Sequence, residues 1–223
     1  MSFDWRWDFA WEILPRLLAA TLNTLIAAGI GYAIALVLGL VFALAQRTDY
    51  KILTFTTREF VEFIRSTPLV LQIFFIFYVG PQFGIRLSPW MSGMIAIGLH
   101  YAAYLSEVYR AGIEAVPRGQ WEAARAINMS TRDTYFRIII PQALPPSIAG
   151  MGNYLVGILK DTPMLSVIGV AELMHTANSI GAENYRFLEP FTMVGIIFLA
   201  ISLPVAGLVR LFEVWVRRKM GVR

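Results

Sequence analysis

The run LLAATLNTLIAAGIGYAIALVLGLVFALA, residues 17–45, contains no charged side chain. As an α-helix it would be about 43 Å long, which exceeds the roughly 30 Å hydrocarbon core of a bilayer. The run therefore predicts a tilted or protruding membrane span. Within it, Ala27, Gly31, Ala35 and Gly39 recur every four residues. Such a ridge of small side chains predicts that another helix approaches this one closely.

The rest of the chain is also apolar, because 57% of its 223 residues are hydrophobic and only 15% are charged. We predict one all-α membrane domain, residues 17–216, and no soluble domain. The five predicted membrane-crossing segments are at about 17–45, 60–80, 89–110, 139–160 and 190–214. The second is the least apolar, because residues 51–65 are amphipathic and charged. We expect either one helix there or a broken helix whose first part lies in or near the cytoplasm.

Lys and Arg are distributed unevenly between the two sides of this topology. Residues 47–65 carry four, residues 110–137 carry five and residues 210–223 carry five of the nineteen, and the other side carries the remaining five. Because Lys and Arg gather in cytoplasmic loops, the N-terminus is predicted outside and the tail, residues 217–223, in the cytoplasm. The net charge of +4 therefore requires no nucleic-acid partner.

Residues 1–16 form an acidic, aromatic leader rather than the basic start of a cleaved signal peptide, so we expect the leader to be retained. Its aromatic residues alternate with polar or small ones and are Phe3, Trp5, Trp7, Phe9 and Trp11. This composition is typical of an aromatic anchor at the membrane–water interface, here on the extracytoplasmic side. A disordered tail is the alternative.

A charged segment at about 117–137 separates two of the apolar runs. Gly119–Met129 has high helix propensity but is too short and too polar to cross a membrane. Asn128 enters the left-handed region readily, which predicts a turn. Ser130 and Asp133 then match the capping pattern of a second helix. We predict a helix, a turn and a helix that project into the cytoplasm to meet a partner, with a solvated loop as the alternative.

The run EAARAINMSTRDTYFRIIIP, residues 122–141, resembles the EAA loop of bacterial ABC importer permeases. That pattern is E-A-A, three residues, G, nine residues and I-x-L-P, and the residues that match it are Glu122, Ala123, Ala124, Ile138 and Pro141. Asn128 stands at the Gly position and Ile140 at the Leu position.

Three further stretches resemble the polar amino-acid uptake branch of these permeases: RSTPLVLQIFFIFY (65–78), YLSEVYRAGIEAVPRGQ (104–120) and LKDTPMLSVIGVAEL (159–173). In the last of them, Pro163 and Met164 replace the commoner Ser-Leu. The resemblance therefore extends over nearly the whole chain.

The resemblance implies a type I ABC importer permease with the MetI-like fold and five transmembrane helices in a bacterial inner membrane. It implies that the chain is not an enzyme and binds no cofactor, because a separate cytoplasmic ATPase dimer uses ATP and Mg. The residues expected to couple to that ATPase are Gly119, Glu122, Ala123, Ala124 and Asn128. The other expected partners are a second permease subunit, identical or not, an extracytoplasmic solute-binding protein and membrane lipid. Consistently, the sequence has no phosphate-binding G-x-x-x-x-G-K-[ST].

Asp161 is the clearest ionisable residue at membrane depth, where each such group needs a partner or a function. Thr162 precedes Pro163, which disfavours helical geometry and predicts a helix break. Free carbonyls at a broken helix end, together with the Asp161 carboxylate, would attract an ammonium or amidinium group. An internal salt bridge, for example with Lys160, is the alternative.

A second break is predicted at Thr67–Pro68. The side chains of Ser66, Thr67 and Gln72 are available there for hydrogen bonds to a solute. Glu107 lies close to Arg110 and is interpreted as structural, and His100 as a hydrogen-bonded packing residue. The two histidines and the absence of cysteine predict no metal site.

The expected solute is a polar amino acid or a related zwitterion. The stretches KDTPML and YRFLEP resemble permeases for ectoine and hydroxyectoine. Two other classes stay open: an ion-coupled secondary transporter, with Asp161 and Glu107 as coupling sites, and a non-transporting membrane scaffold. A secondary transporter would not require the EAA segment, and a scaffold would show no ATP-dependent accumulation of solute in vesicles.

Overall fold

The chain is helical throughout the part that the structure describes. The structure is a computed structural model that describes residues 4–219, except the side chain of residue 217. In chain order the α-helices are α1 (Trp7–Ala45), α2 (Lys51–Ser66), α3 (Leu69–Phe74), α4 (Pro89–Glu114), α5 (Arg118–Ala126), α6 (Thr131–Asp133), α7 (Ile140–Asp161), α8 (Leu173–Asn184) and α9 (Leu188–Lys219). No strand occurs in residues 4–219, which confirms the all-α prediction.

Turns of a different pitch extend three of these helices. A π-helical turn at Phe75–Val79 and a 3-10 turn at Gly80–Phe83 follow α3. A π-helical stretch at Thr134–Ile139 joins α6 to α7. A 3-10 helix at Thr162–Ile168 follows α7. The chain therefore changes pitch rather than direction at several points inside the bundle.

Two helices are long and apolar enough to cross a membrane alone, namely α1 and the Leu188–Val216 part of α9. Two bent pairs raise the number to at most four among the described residues: Lys51–Ser66 with Leu69–Phe83, bent by 108°, and Thr131–Ile168 with Leu173–Asn184, bent by 46°. With 26 residues, α4 has the length of a further span. The count of five spans stays a prediction.

Helix α1 starts ten residues before the predicted span, at Trp7 instead of Leu17. The boundary predicted between the leader and the membrane domain therefore falls inside a continuous helix. The reason is packing, since Phe9 and Ile13 are buried in a cluster with residues of α8 and α9. Trp7 and Trp11 are exposed on the opposite side. Phe3 of the predicted leader and residues 220–223 of the predicted tail lie outside the described residues.

The predicted ridge of small residues on α1 is the surface that packs against α4. Its four members, Ala27, Gly31, Ala35 and Gly39, are all buried. A Cβ atom added at Gly39 would lie 2.9 Å from the Leu105 Cβ and 3.0 Å from the Ala102 carbonyl oxygen. On α4, a Cβ atom added at Gly98 would likewise lie 2.4 Å from the side chain of Ile34 on α1. The two helices therefore approach each other as closely as their backbones allow.

Ion pairs and hydrogen bonds join the N-terminal end of α1 to α8 and α9. The Arg16 guanidinium lies 2.9 Å from the Glu183 carboxylate. The fully buried Glu189 carboxylate accepts hydrogen bonds from the Arg6 backbone N–H, at 3.1 Å, and from the Arg186 guanidinium. These bonds tie the first turns of α1 and α9 to the end of α8.

We expect Gly39→Leu to destabilise the protein by about 1–3 kcal/mol, because the new side chain would collide with the backbone of α4. Gly29→Leu is the matched control, since nothing lies within 4 Å of a Cβ atom added there. The measurement is the thermal unfolding midpoint of each purified variant in detergent. Equal midpoints for the two variants would contradict the proposed close contact between α1 and α4.

Candidate solute cleft and coupling segment

A cleft of about 580 Å³ opens between α4 and α7. Its volume lies within the roughly 300–1,000 Å³ that is usual for small-molecule sites. On α7 the lining residues are spaced by three or four positions, so they share one helix face. The lining residues are His100, Tyr101, Tyr104 and Val108 on α4, and Gly150, Asn153, Tyr154, Gly157 and Asp161 on α7.

Asp161 supplies the carboxylate of this cleft. Its Oδ2 accepts a hydrogen bond of 2.7 Å from the Tyr101 hydroxyl, which comes from the facing helix. The predicted alternative, a salt bridge to Lys160, is absent among the described ion pairs. Within the described residues, the Asp161 Oδ1 has no hydrogen-bond partner. One carboxylate oxygen therefore remains available to a ligand.

Aromatic rings surround this carboxylate. The ring of Tyr154 lies 5.9 Å from that of Tyr101 and 5.6 Å from that of Tyr104, measured between centroids. The His100 ring lies 5.2 Å from the Tyr104 ring. Aromatic faces attract cations through their quadrupole. The rings and the carboxylate together favour a cationic group in the cleft.

Sequence reasoning did not identify the three tyrosines or Asn153 as site residues. The sequence does contain a signal for Tyr154, because Gly150, Tyr154, Gly157 and Asp161 recur at helical spacing. Two of these positions must be small. A Cβ atom at Gly157 would lie 3.1 Å from the Tyr101 hydroxyl oxygen, so a larger residue would narrow the cleft.

The predicted break at Thr67–Pro68 is confirmed, and Gln72 holds it in place. The Gln72 side-chain amide donates to the Ile64 carbonyl and to the Thr67 hydroxyl, each at 2.8 Å. Its Oε1 lies 3.2 Å from the His100 Nδ1. The interpretation of His100 as a hydrogen-bonded packing residue is confirmed, although its ring also borders the cleft.

The other predicted solute residues do not line the cleft. Thr162 is fully buried, and its hydroxyl donates to the Leu159 carbonyl at 2.8 Å. The Thr67 hydroxyl donates to the Phe63 carbonyl at 3.1 Å. Ser66 is exposed at the end of α2. Of the five predicted residues, only Asp161 borders the cleft, and Gln72 reaches it through His100.

The helix break predicted at Thr162 is wrong in its geometry. The α-helix does end at Asp161, but Thr162 has helical dihedrals, φ −54° and ψ −33°, and begins a 3-10 helix. Pro163 is tolerated at the second position of that helix because a backbone N–H there has no intrahelical partner. The chain therefore turns more tightly at this point instead of breaking.

The charged segment forms the predicted helix, turn and helix. Helix α5 ends at Ala126, and Asn128 adopts a left-handed conformation with φ 53°. The Met129 N–H then donates to the Ala124 carbonyl at 3.0 Å, which closes the helix end. The Ser130 Oγ accepts from the Asp133 N–H at 3.1 Å, as the capping pattern predicts.

The predicted coupling residues present one exposed surface. Gly119, Glu122, Ala123 and Asn128 are exposed, whereas Ala124 is buried and faces the bundle. We call the segment from α5 to Asn128, residues 118–128, the coupling segment.

Trp121 attaches the coupling segment to three helices. Its ring packs against a buried cluster that includes Ile113 near the end of α4 and Ile139 just before α7. It also meets the edge of the Tyr135 ring at 5.4 Å, and the Arg47 guanidinium, which follows α1, lies 5.7 Å from its centroid. The segment is therefore linked to α1, α4 and α7 at one end of the bundle.

Glu107 is an ion-pair partner, as interpreted from the sequence. Its carboxylate lies 2.6 Å from the Arg110 guanidinium, which also contacts Glu114 at 2.9 Å. This pairing compensates the charge of Glu107 inside the chain.

Residues 35–218 match the family described as Binding-protein-dependent transport system inner membrane component. The chain is 41% identical over 221 residues to the probable amino-acid ABC transporter permease protein y4tG of Sinorhizobium fredii (strain NBRC 101917 / NGR234), with 96% of each chain covered. It is 40% identical over 182 residues to the L-cystine transport system permease protein TcyB of Bacillus subtilis (strain 168), which covers 80% of this chain and 76% of that one. A crystal structure of an amino acid ABC transporter with histidines has 31% identity and a TM-score of 0.87, covering 96% of this chain and 99% of that one.

We expect Trp121→Ala to loosen the coupling segment, because the Trp121 ring supplies its main packing contact with the bundle. Loss of about 1–3 kcal/mol of packing would increase trypsin cleavage after Arg118 and Arg125 by at least about fivefold. Ile127→Ala is the matched control, since the Ile127 side chain is 68% exposed. Mass spectrometry of the peptides gives both rates, and equal rates in the two variants would contradict the role of Trp121.

Proposed function

This chain belongs to the family of binding-protein-dependent transport system inner membrane components, and we propose that it passes a zwitterionic amino acid through the cleft between α4 and α7. It is the permease subunit of an amino-acid ABC importer. The observation that carries the proposal is the position of Asp161, which offers one free carboxylate oxygen to an amino-acid-sized cleft walled by aromatic rings.

The chemistry of the cleft favours the cationic end of such a solute. The Asp161 carboxylate provides a charge-assisted acceptor for an ammonium group, and the rings of Tyr101 and Tyr154 provide faces for it. By contrast, the Arg65 guanidinium already lies 5.5 Å from the centroid of the Tyr104 ring. Relatives are described as a permease for L-cystine and as a transporter with histidines, which supports an amino acid without selecting one. Ectoine and hydroxyectoine carry an amidinium. They remain candidate solutes only because the KDTPML and YRFLEP stretches resemble those of permeases for these two compounds.

We propose that a separate ATPase dimer drives this movement and that the coupling segment is where it docks. The ATPase would bind ATP and Mg, and this chain would contribute only the exposed surface of Gly119, Glu122, Ala123 and Asn128, with Ala124 holding the helix to the bundle. The support is connectivity, because α4 ends at Glu114, four residues before α5 begins at Arg118. Displacement of the segment would reach both cleft walls and open the cleft to alternate sides.

The other parts of the proposed importer follow from the same arrangement. A second permease subunit, identical or not, would complete the membrane pathway, and an extracytoplasmic binding protein would deliver the solute. The N-terminus would lie outside the bacterial inner membrane and the coupling segment in the cytoplasm. Three clusters of Lys and Arg, at residues 47–65, 110–137 and 210–223, support this orientation.

We expect Asp161→Asn to weaken the interaction of the solute with the assembled importer by about 10- to 100-fold. The substitution preserves size but removes a charge-assisted hydrogen bond worth about 1.5–3 kcal/mol. The measurement is uptake and solute-dependent ATPase activity in vesicles at saturating binding protein. Asp49→Asn, in the exposed loop after α1, is the control. Assembled Asp161→Asn complexes with unchanged uptake would rule out the recognition role.

We expect Glu122→Lys to reduce ATPase binding and transport far more than expression, because it reverses a charge on the exposed face of α5. Glu59→Lys, the same charge reversal on the exposed surface of α2, serves as the control. Co-purification of the ATPase with each permease variant measures docking directly. If Glu122→Lys binds the ATPase as well as the wild type and transports normally, the proposed coupling role is wrong.

A further inference from the structure

The corner between α8 and α9 presents one large side chain in a disfavoured backbone conformation. Tyr185 has φ 53° and ψ 29°, in the left-handed region, and is 92% exposed. Among the described residues, Asn128 is the other non-glycine residue with positive φ. Asn tolerates this region, whereas glycine is the usual residue for it at a helix end. A tyrosine at position 185 therefore carries a conformational cost that glycine would not.

The residues around Tyr185 are firmly held. The Arg186 N–H donates to the Gly181 carbonyl at 3.1 Å, which closes the end of α8. The Arg186 guanidinium donates to the Asp4 carbonyl at 2.6 Å and pairs with Glu189. The Phe187 ring covers Gly181, where a Cβ atom would lie 2.3 Å from it. The corner is thus rigid while its central side chain points away from the protein.

The Tyr185 side chain makes no hydrogen bond or ring contact with any residue of the described part of the chain. Strained backbone persists at positions where function requires it. The hydrogen bonds that close α8 hold the backbone of Tyr185 in this conformation, whereas its side chain gains no contact from the described part of the chain and is free to bind another molecule. Exposed tyrosines on rigid supports are typical anchors of protein interfaces, since they bury a large area at low entropic cost.

The position of the corner indicates which molecule this is. It lies at the end of the bundle where α1 begins, opposite Arg47 and the coupling segment, and hence outside the membrane if the proposed function holds. The family of this chain depends on a binding protein, which must dock on that side. Helix α8 also leads from the corner back to the 3-10 helix that follows Asp161.

We propose that Tyr185 is a docking residue for the extracytoplasmic solute-binding protein, and this inference rests on the proposed function. Bound there, the binding protein would contact the outer end of α8, which packs against α1 and α9 through a buried apolar cluster. The same helix is joined to the cleft, because only residues 162–172 separate it from Asp161. Docking and solute release would then share one rigid element.

The experiment uses the complete importer in nanodiscs, with the binding protein that stimulates ATP hydrolysis by the wild-type complex. Tyr185→Gly removes the ring and relieves the backbone, so the variant should fold at least as well as the wild type. Tyr185→Asn removes the ring while tolerating the same backbone conformation. Both variants should keep the ATPase rate measured without binding protein. Both should raise the binding-protein concentration for half-maximal stimulation by about tenfold or more.

Trp11→Ala is the control for a role in lipid anchoring, since Trp11 is a 65% exposed aromatic residue at the same end of the bundle. It should leave the half-maximal concentration unchanged. If both Tyr185 variants also leave it unchanged, the docking role is overturned, and a shared loss of reconstitution with Trp11→Ala would identify a lipid anchor instead. Absence of any stimulation in the wild-type complex would overturn the proposed function itself, and the docking role with it.

Discussion

The close contact between α1 and α4 is the constraint on which the rest of this structure depends. Lipid chains are as apolar as leucine, so helices in a bilayer associate through shape and hydrogen bonds rather than through the hydrophobic effect. Gly31 and Gly39 on α1 and Gly98 on α4 have side chains of the other helix where a Cβ atom would stand. This contact fixes the rotation of α4. The neighbouring face of α4, which carries His100 and Tyr104, is thereby turned towards the cleft.

Polar groups inside the bundle fall into two kinds, those whose hydrogen bonds are completed within the described residues and those that keep a free atom. Glu107 pairs with Arg110, and Gln72 satisfies the backbone at the Thr67–Pro68 break, so these groups complete the protein itself. Asp161 and Glu172 each keep one carboxylate oxygen without a hydrogen-bond partner among the described residues, and of these two only Asp161 borders the cleft. The free Asp161 oxygen faces a partly exposed cleft. Under the proposed function, a cationic group of the solute would pair with it there.

Features governed by neighbouring residues could be predicted from the sequence, and features governed by packing could not. The left-handed Asn128, the Ser130 cap and the break before Pro68 follow from local backbone rules, and the structure contains all three. The break predicted at Thr162 failed because a 3-10 helix accommodates Pro163. The extension of α1 before Leu17 depends on burial of Phe9 and Ile13 against α8 and α9, which no local pattern indicates.

The cleft tyrosines were missed for a related reason. Tyr101 and Tyr104 lie on α4 and Tyr154 on α7, and no local pattern says that these two helices face each other. The two helices are joined by residues 115–139, which include the coupling segment, and this short connection keeps one end of α4 near one end of α7. Trp121 packs against one buried cluster that joins Ile113 of α4 and Ile139 just before α7, so the coupling segment is attached where the two walls meet.

The consequence is mechanical. Under the proposed coupling, a force applied to α5 would reach both cleft walls, because the segment lies between α4 and α7 in sequence and packs against a cluster shared by their ends. The π-helical stretch at Thr134–Ile139, between the coupling segment and α7, has wider turns than an α-helix and is the natural point for the two walls to change their relative position. Because cores repack between discrete arrangements rather than deforming continuously, such a change would open the cleft on one side as it closes the other.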